Sequence, residues 1–499
     1  MRFDVTCSPS SPEFPIYAMP PNFYRRVADA LADDALRATL TRSTGLLRQQ
    51  QAAGFADSAP FEELQAAARA LRQDALDRLP ALLVQLEAQA RARGVEVFWA
   101  PDAAAARRYI LALAEARRVR QVVRSHAAAV EEIGLDAALA DAHINVILTQ
   151  VGDYILHLAG DTPSHPVHPA LHWRKEAVTQ LFEQHLDVPQ TLDIQSLANV
   201  VRFKLRRPTL EAALSVGGVA LAVAETGTLA LASGDDRLAV ASTPIHVAVM
   251  GIEQVTAALE DLALFLPLYA RSAGGQSMPD HVLLLEGPAP ADAADGPREL
   301  HLVILDNGRS DLLRWGYGEA LTCIHCGACH NVCPVYREIG GQAYSPRGGG
   351  PIDSVTLPLL PSLPVQETAG RWPTAARDRR QDAQPAAQTG AEPRPAPALR
   401  GAPLAPLPHA STLCGACSAV CPVGIDIPRL LIRLRGDLAA AGELGKRERM
   451  LRRLYRWGTQ DAANLPRLHR LLRSARLLPD WPQPASQTFH ARWRERRGL

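Results

Sequence analysis

Seven of the eight cysteines in this 499-residue chain fall into two short runs, and their spacing constrains the fold more than any other feature. The first run reads Cys323-Ile-His-Cys326-Gly-Ala-Cys329-His-Asn-Val-Cys333-Pro334, which is C-x2-C-x2-C-x3-C-P. The second reads Cys414-Gly-Ala-Cys417-Ser-Ala-Val-Cys421-Pro422, the same pattern without its first cysteine. In such runs the closely spaced thiolates reach separate irons of one cluster, and the cysteine before proline ligates the other cluster. The two runs complete each other only if the second folds back onto the first. The crossed assignment gives cluster one Cys323, Cys326, Cys329 and Cys421, and gives cluster two Cys333, Cys414 and Cys417.

Counting three back from Cys414 reaches Ser411, so cluster two lacks a fourth thiolate. Cluster one is expected as [4Fe-4S]. Cluster two is expected as [3Fe-4S], or as [4Fe-4S] completed by a serine, water, partner or distant ligand. His409 is near enough in sequence to consider, but these clusters prefer thiolate, which makes it a bystander. Structural zinc takes four ligands at one tetrahedral centre and fits seven cysteines in this cadence poorly. Cys7 stands alone, reads as a free thiol, and adds nothing to a disulfide reading. Closely spaced thiols without a secretory signal point instead to a reducing, cytoplasmic setting.

The length allows two or more domains, and 47% hydrophobic with 21% charged residues is ordinary for a soluble protein. No uncharged apolar stretch is long enough to span a membrane. The net charge of +1 hides an asymmetry: residues 428–499 carry 17 Lys and Arg against 6 Asp and Glu. Within that stretch Arg447, Arg449, Arg452, Arg453 and Arg456 interleave with Met450, Leu451, Leu454 and Trp457, a basic amphipathic helix. Such a tail can serve nucleic acid, an anionic membrane surface or an acidic partner. No nucleic-acid-binding module accompanies it, and docking to a partner subunit is the preferred expectation, with peripheral membrane contact left open.

Periodicity predicts helices over 23–51, 61–94 and 103–118, with Asp102 capping the last, and a strand over 95–99. An apolar run follows at 121–124, a helix at 127–141 and a strand at 144–149. Helices are predicted over 173–186 and 194–205, strands over 219–224, 228–232, 238–241 and 246–250, and a helix over 253–264. Strands at 281–285 and 300–305 close the series. Strands alternating with helices predict an α/β domain over 22–305 with a mostly parallel sheet, after an N-terminal arm over 1–21. Residues 357–408 hold eleven prolines with little periodicity and read as a disordered insertion thrown out from a cluster domain of 306–356 and 409–436. Residues 437–499 form the basic helical tail.

Four further stretches carry a resemblance. They are Ala159-Gly160-Asp161-Thr162-Pro163-Ser164-His165, Ala224-Glu225-Thr226-Gly227-Thr228, residues 246–253 and Leu305-Asp306-Asn307-Gly308-Arg309-Ser310. With the cysteine runs they resemble the lactate utilization protein B family. The resemblance implies an α/β LUD domain, similar to the sugar-phosphate isomerase and CoA-transferase superfold, followed by an α-helical ferredoxin-like 4Fe-4S domain. It implies an electron-transferring oxidoreductase subunit of an L-lactate dehydrogenase complex, working with homologues of lactate utilization proteins A and C. Three departures stand out. Val123-Arg124-Ser125-His126 replaces a lysine-containing segment, the stretch from Tyr344 to Pro351 is altered, and the proline-rich segment is long.

Two other groups of residues invite a site. Glu225 lies between two strand-like runs and is the weak candidate for a catalytic nucleophile, the alternative function being an isomerase-like or acyl-transfer enzyme with structural or redox-sensing clusters. His157, His165, His168 and His172 tempt a metal reading, but prolines at 163, 166 and 169 mean their side chains need not converge. No dinucleotide fingerprint or P-loop is present. Lactate oxidation formally removes a hydride, and no residue pattern here takes one, so the chain reads as a relay.

Overall fold

The computed structural model describes residues 23–186, 193–232, 236–345, 348–360 and 404–441, with scattered positions from 450 to 468. Cys7 and nearly all of the proline-rich insertion lie outside the described residues, as do Arg447, Arg449 and Arg452 of the tail. The chain divides into two compact units, residues 1–435 and 436–499. In the second, Leu468 closes on Gly458 so tightly that a Cβ there would lie 2.3 Å from its Cδ2.

Among the described residues the first unit is built on ten strands: β1 Glu96–Ala100, β2 Gln121–Arg124, β3 Asn145–Leu148, β4 Leu214–Gly218, β5 Leu221–Val223, β6 Leu229–Leu231, β7 Ile245–Gly251, β8 Val255–Thr256, β9 Leu283–Leu285 and β10 Glu299–Leu305. Six form a fully parallel sheet in the order β1-β10-β7-β4-β2-β3. All seven residues of β7 are buried, as a strand covered on both faces requires. Val216, Val247, Val249, Val303 and Ile110 share the core between sheet and helices. Helix Ala103–Ala116 opens as expected, with the Asp102 carboxylate accepting from Ala105 N–H at 2.7 Å, a cap worth about 1 kcal/mol. A small mixed sheet, β8-β5-β6-β9, lies beside the first.

Several predicted elements change. The segment 238–241, read as a strand, belongs to helix Asp236–Ser242; a four-residue apolar run of Leu, Ala and Val does not distinguish the two states. The helix expected from 253 starts at Leu262, because Val255–Thr256 pairs with β5 instead. The central strand β4 and helix Val151–Ala159 were not anticipated. The helix over 127–141 breaks at Gly134, which takes φ 62°.

Among the described residues four helices precede the sheet: α1 Phe23–Ala32, α2 Asp34–Ala56, α3 Phe61–Asp77 and α4 Leu79–Ala92. They join sheet and cysteine runs. Arg26 donates to the carbonyls of Ala343 and Tyr344, Gln65 donates to Cys421 O at 2.7 Å, and Phe23 and Leu40 share a core with Cys333, Tyr336 and Tyr344. Leu407, just before the second run, is fully buried in that same core. Gly54 of α2 meets Gly275 backbone to backbone, where a Cβ would lie 2.5 Å from a carbonyl oxygen.

Candidate functional site

The two cysteine runs adopt the same backbone. In the first, His325 takes φ 55° and Gly327 φ 75°; in the second, Leu413 takes φ 56° and Gly415 φ 82°. A left-handed non-glycine residue costs roughly 1–2 kcal/mol, so its recurrence at the same step of both loops marks a required turn. That turn aims a main-chain donor at the side chain two residues back. His325 N–H donates to Cys323 Sγ at 3.3 Å, and Leu413 N–H donates to Ser411 Oγ at 3.1 Å. Ser411 therefore stands in the second loop where Cys323 stands in the first. Cys333 and Cys421 accept from Tyr336 N–H and Ile425 N–H, each at 3.4 Å. Each is followed by a proline, and Pro334 opens helix Pro334–Tyr344.

The thiols gather in two groups. Burial, then the neighbouring Cys326 and Cys421, push the Cys323 thiol well up. Burial, then Cys323 and Cys326, do the same to Cys329, with Asp353 and Cys421 adding to it. Cys326 is pushed up to about 12 by burial, with Cys421 contributing. The other group is Cys333, Cys414 and Cys417, which line a small recess together with Ser411. Burial and then Cys333 push Cys417 up to about 11, while Ala416 N–H lowers the exposed Cys414. Buried thiols crowded against one another, with N–H groups aimed at their sulfurs, need a positive centre to become ligands. Multi-iron clusters supply it, so these residues fit the group. Among the described residues, no three His, Cys, Asp or Glu side chains converge on a single-ion geometry. His409 is exposed and does not line the recess.

The stretch 159–165 docks the first run onto the sheet domain. Ser164 Oγ accepts from Gly341 N–H at 3.1 Å, its carbonyl accepts from Tyr336 OH at 2.9 Å, and Asp161 holds His172, Trp173 and Gln342. The prolines do bring two of the four histidines together: His165 and His168 stack at 5.4 Å. His172 turns to Asp161 and His157 lies on an exposed helix face, so no four-histidine site forms. His165 Nδ1 accepts from the N–H groups of Val167 and His168, which fixes the proton on Nε2 and keeps the ring neutral.

Between sheet and first run lies a cavity of about 850 Å³. It opens at the carboxyl ends of the parallel strands, where α/β sheets bind ligands. β2 leads on to its neighbour β3 and β4 to its neighbour β7, so the sheet's connections diverge between β2 and β4. His126 and Ala127 after β2 and Gly218 and Val219 at the end of β4 line this crevice. A Cβ at Gly218 would meet that of Ala127 at 2.1 Å. Cys323, His325 and His330 of the first run form the opposite wall.

Most of the charges around the cavity are paired with one another. Arg309 is bidentate on Glu132 at 2.7 and 2.8 Å and meets Glu253 at 2.6 Å; Asn307 donates to Glu132 at 2.6 Å. This accounts for the stretch Leu305–Ser310. His126 pairs with Asp153 at 3.1 Å and Glu131 at 3.4 Å. Burial opposes its charge, but the two carboxylates outweigh burial and raise it to about 10. Arg124 is buried between Glu131 and Asp136. The replaced segment 123–126 thus remains cationic. Arg72, 1% exposed, was not singled out in the sequence, although it donates to Glu253 O, Leu321 O, Thr322 O and Val255 O.

Glu225 lies elsewhere. It is exposed beside the β5–β6 turn, accepts from Leu259 N–H at 3.4 Å and does not line the cavity. Gly227 takes φ 75° there, and a Cβ would meet Ala90 N of α4 at 2.8 Å. The stretch 224–228 is a turn packed against a helix. No helix of the described residues is long and apolar enough to cross a membrane.

Residues 83–305 match the LUD domain family and residues 319–425 the 4Fe-4S dicluster domain family. The lactate utilization protein B of Anoxybacillus flavithermus is 34% identical over 83% of this chain and 80% of its own length. An uncharacterized electron transport protein of Escherichia coli, YkgF, is 32% identical over 87% of this chain and 84% of its own. A solved DUF162 family structure from Deinococcus radiodurans aligns with 46% of this chain at 16% identity and TM-score 0.26, below the level at which a fold argument is made. With family matches spanning the sheet domain and both cysteine runs, and identity of this extent over most of the chain, the chain belongs to the lactate utilization protein B family.

Proposed function

We propose that this chain is the iron–sulfur electron-transfer subunit of an L-lactate-oxidising system, acting with homologues of lactate utilization proteins A and C. The observation that carries it is the gathering of seven cysteines from two distant runs into two groups, within a chain whose relatives bear that name. In this reading Cys323, Cys326, Cys329 and Cys421 hold cluster one, a [4Fe-4S] centre. Cys333, Cys414 and Cys417 hold cluster two, with Ser411 at its fourth corner; the matching turns at His325 and Leu413 support that placement. Bound clusters supply one-electron transfer.

The protein's own residues set the conditions. Amide donors steady the sulfurs, α1 to α3 clamp both runs, and the 159–165 loop fixes the first run against the sheet. The acyl-transfer alternative gains nothing from Glu225, which faces solvent away from the cavity. Anaerobically purified protein should show iron and sulfide, and reduced-cluster EPR signals with dithionite. The same signals should appear with lactate once the two partner homologues are added. Clusters that lactate cannot reduce in the reconstituted mixture would sink the lactate assignment.

A further inference from the structure

The cavity between sheet and first cysteine run has no assigned occupant. At about 850 Å³ it has room for a ligand far larger than a three-carbon hydroxy acid. Its charges also argue against a small anion. The guanidinium of Arg309 is saturated by Glu132 and Glu253, that of Arg72 by four carbonyls, and the imidazole of His126 by Asp153 and Glu131. Five carboxylates, on Glu131, Glu132, Glu253, Asp280 and Asp353, line the space. Arg202 is the remaining cation of the lining, so five carboxylates face three arginines and His126, with Arg72, Arg309 and His126 already engaged.

Another part of the wall is built of flat rings and apolar side chains. His165 and His168 stack, His330 meets His165 edge-on at 5.3 Å, and Pro166, Tyr269 and Ile352 add apolar surface. Cys323 and His325 complete the wall, so an occupant would sit directly against the first run. We propose that this cavity binds a flat, uncharged, conjugated ring of the two-electron carrier class, a quinone or a flavin ring. Rings of this class accept electrons in pairs and release them singly, the conversion a hydride-derived pair needs before a one-electron centre. The redox role of the ring rests on the electron-transfer reading above; its binding does not.

The test uses the full-length, anaerobically purified holoprotein with menadione and lumiflavin as separate probes in equilibrium dialysis. Iron content and dithionite-reduced EPR are read on the same samples. One ring should bind saturably, one per chain; which of the two binds identifies the source. Ala198→Trp, at a half-buried position lining the cavity, should abolish binding with iron content unchanged. His168→Ala, removing one stacked ring, should weaken binding about tenfold, whereas Glu225→Gln, outside the cavity, should not change it. Neither ring binding to protein with reducible clusters, or lactate displacing both rings, overturns the site while the electron-transfer reading stands. Saturable ring binding to protein with redox-silent clusters supports the site and removes that reading instead.

Discussion

Arg72→Met tests how far the helices ahead of the LUD-matched span govern the clusters. Arg72 lies on α3, and its guanidinium reaches Glu253 O at 2.7 Å, Leu321 O at 3.0 Å, and Thr322 O and Val255 O at 3.2 Å. Thr322 directly precedes Cys323. Methionine keeps most of the volume, so the effect isolates the donors rather than a void. A buried acceptor left without a donor costs about 1–3 kcal/mol, which bounds the loss at about 12 kcal/mol for four. Arg72 also lines the cavity, so water can reach some of these carbonyls, and about 4–6 kcal/mol is the expected loss. Against a total stability of roughly 5–15 kcal/mol that is severe. Arg72→Lys, which keeps the charge but cannot span four acceptors, should lose about half as much. The assay is urea titration of the holoprotein, following cluster absorbance and helical circular dichroism together. Cluster absorbance should vanish at markedly lower urea in Arg72→Met. A midpoint within about 1 kcal/mol of the parent would refute the clamp.

Cluster ownership separates by spectroscopy: Cys421→Ser should damage the centre held by Cys323, Cys326 and Cys329, and Cys333→Ser the other, the reverse pattern refuting the crossed set. Oxidised protein should show a three-iron EPR signal from the second centre, and Ser411→Cys should replace it with a stable four-iron form of lower potential; two equally stable four-iron centres in the parent would contradict this. His126 is raised from 6.5 to about 10, so its contribution to stability is complete below pH 6.5 and disappears as pH climbs through 10. The urea midpoint should therefore fall between neutral pH and about pH 10, and fall less in His126→Gln; equal slopes would show the pair to be unimportant.

The sequence discloses what local spacing encodes. The cysteine cadence is readable because each loop is fixed within a dozen residues, and the Asp102 cap is equally local. Strand β4 carries no clear apolar pattern because Ser215, Gly217 and Gly218 interrupt it: Ser215 bonds Thr243 and His246, and Gly218 lines the cavity. A Cβ at Gly218 would collide with that of Ala127 at 2.1 Å, and one at Gly217 would press on Ser125 and His246 at 3.2 Å. Pairings across the chain left no local trace. Arg72 reads as one basic position on an amphipathic helix, and the meeting of His165 with His330 depends on packing between segments 165 residues apart. Glu225 was conspicuous for its neighbours, Gly227 above all, and that glycine serves a helix contact.

In the proposed crossed ligand set, with Cys421 beside Cys323 and Cys414 beside Cys333, the two chain closures are nested. Tying together positions about 100 residues apart removes chain entropy worth about 4.7 kcal/mol at 25 °C. Once either tie exists, the other joins segments only a few residues from ends already held, and its further entropic cost is small. Iron incorporation should therefore be all-or-none: chains carrying a single centre should be scarce during reconstitution, whichever centre forms first.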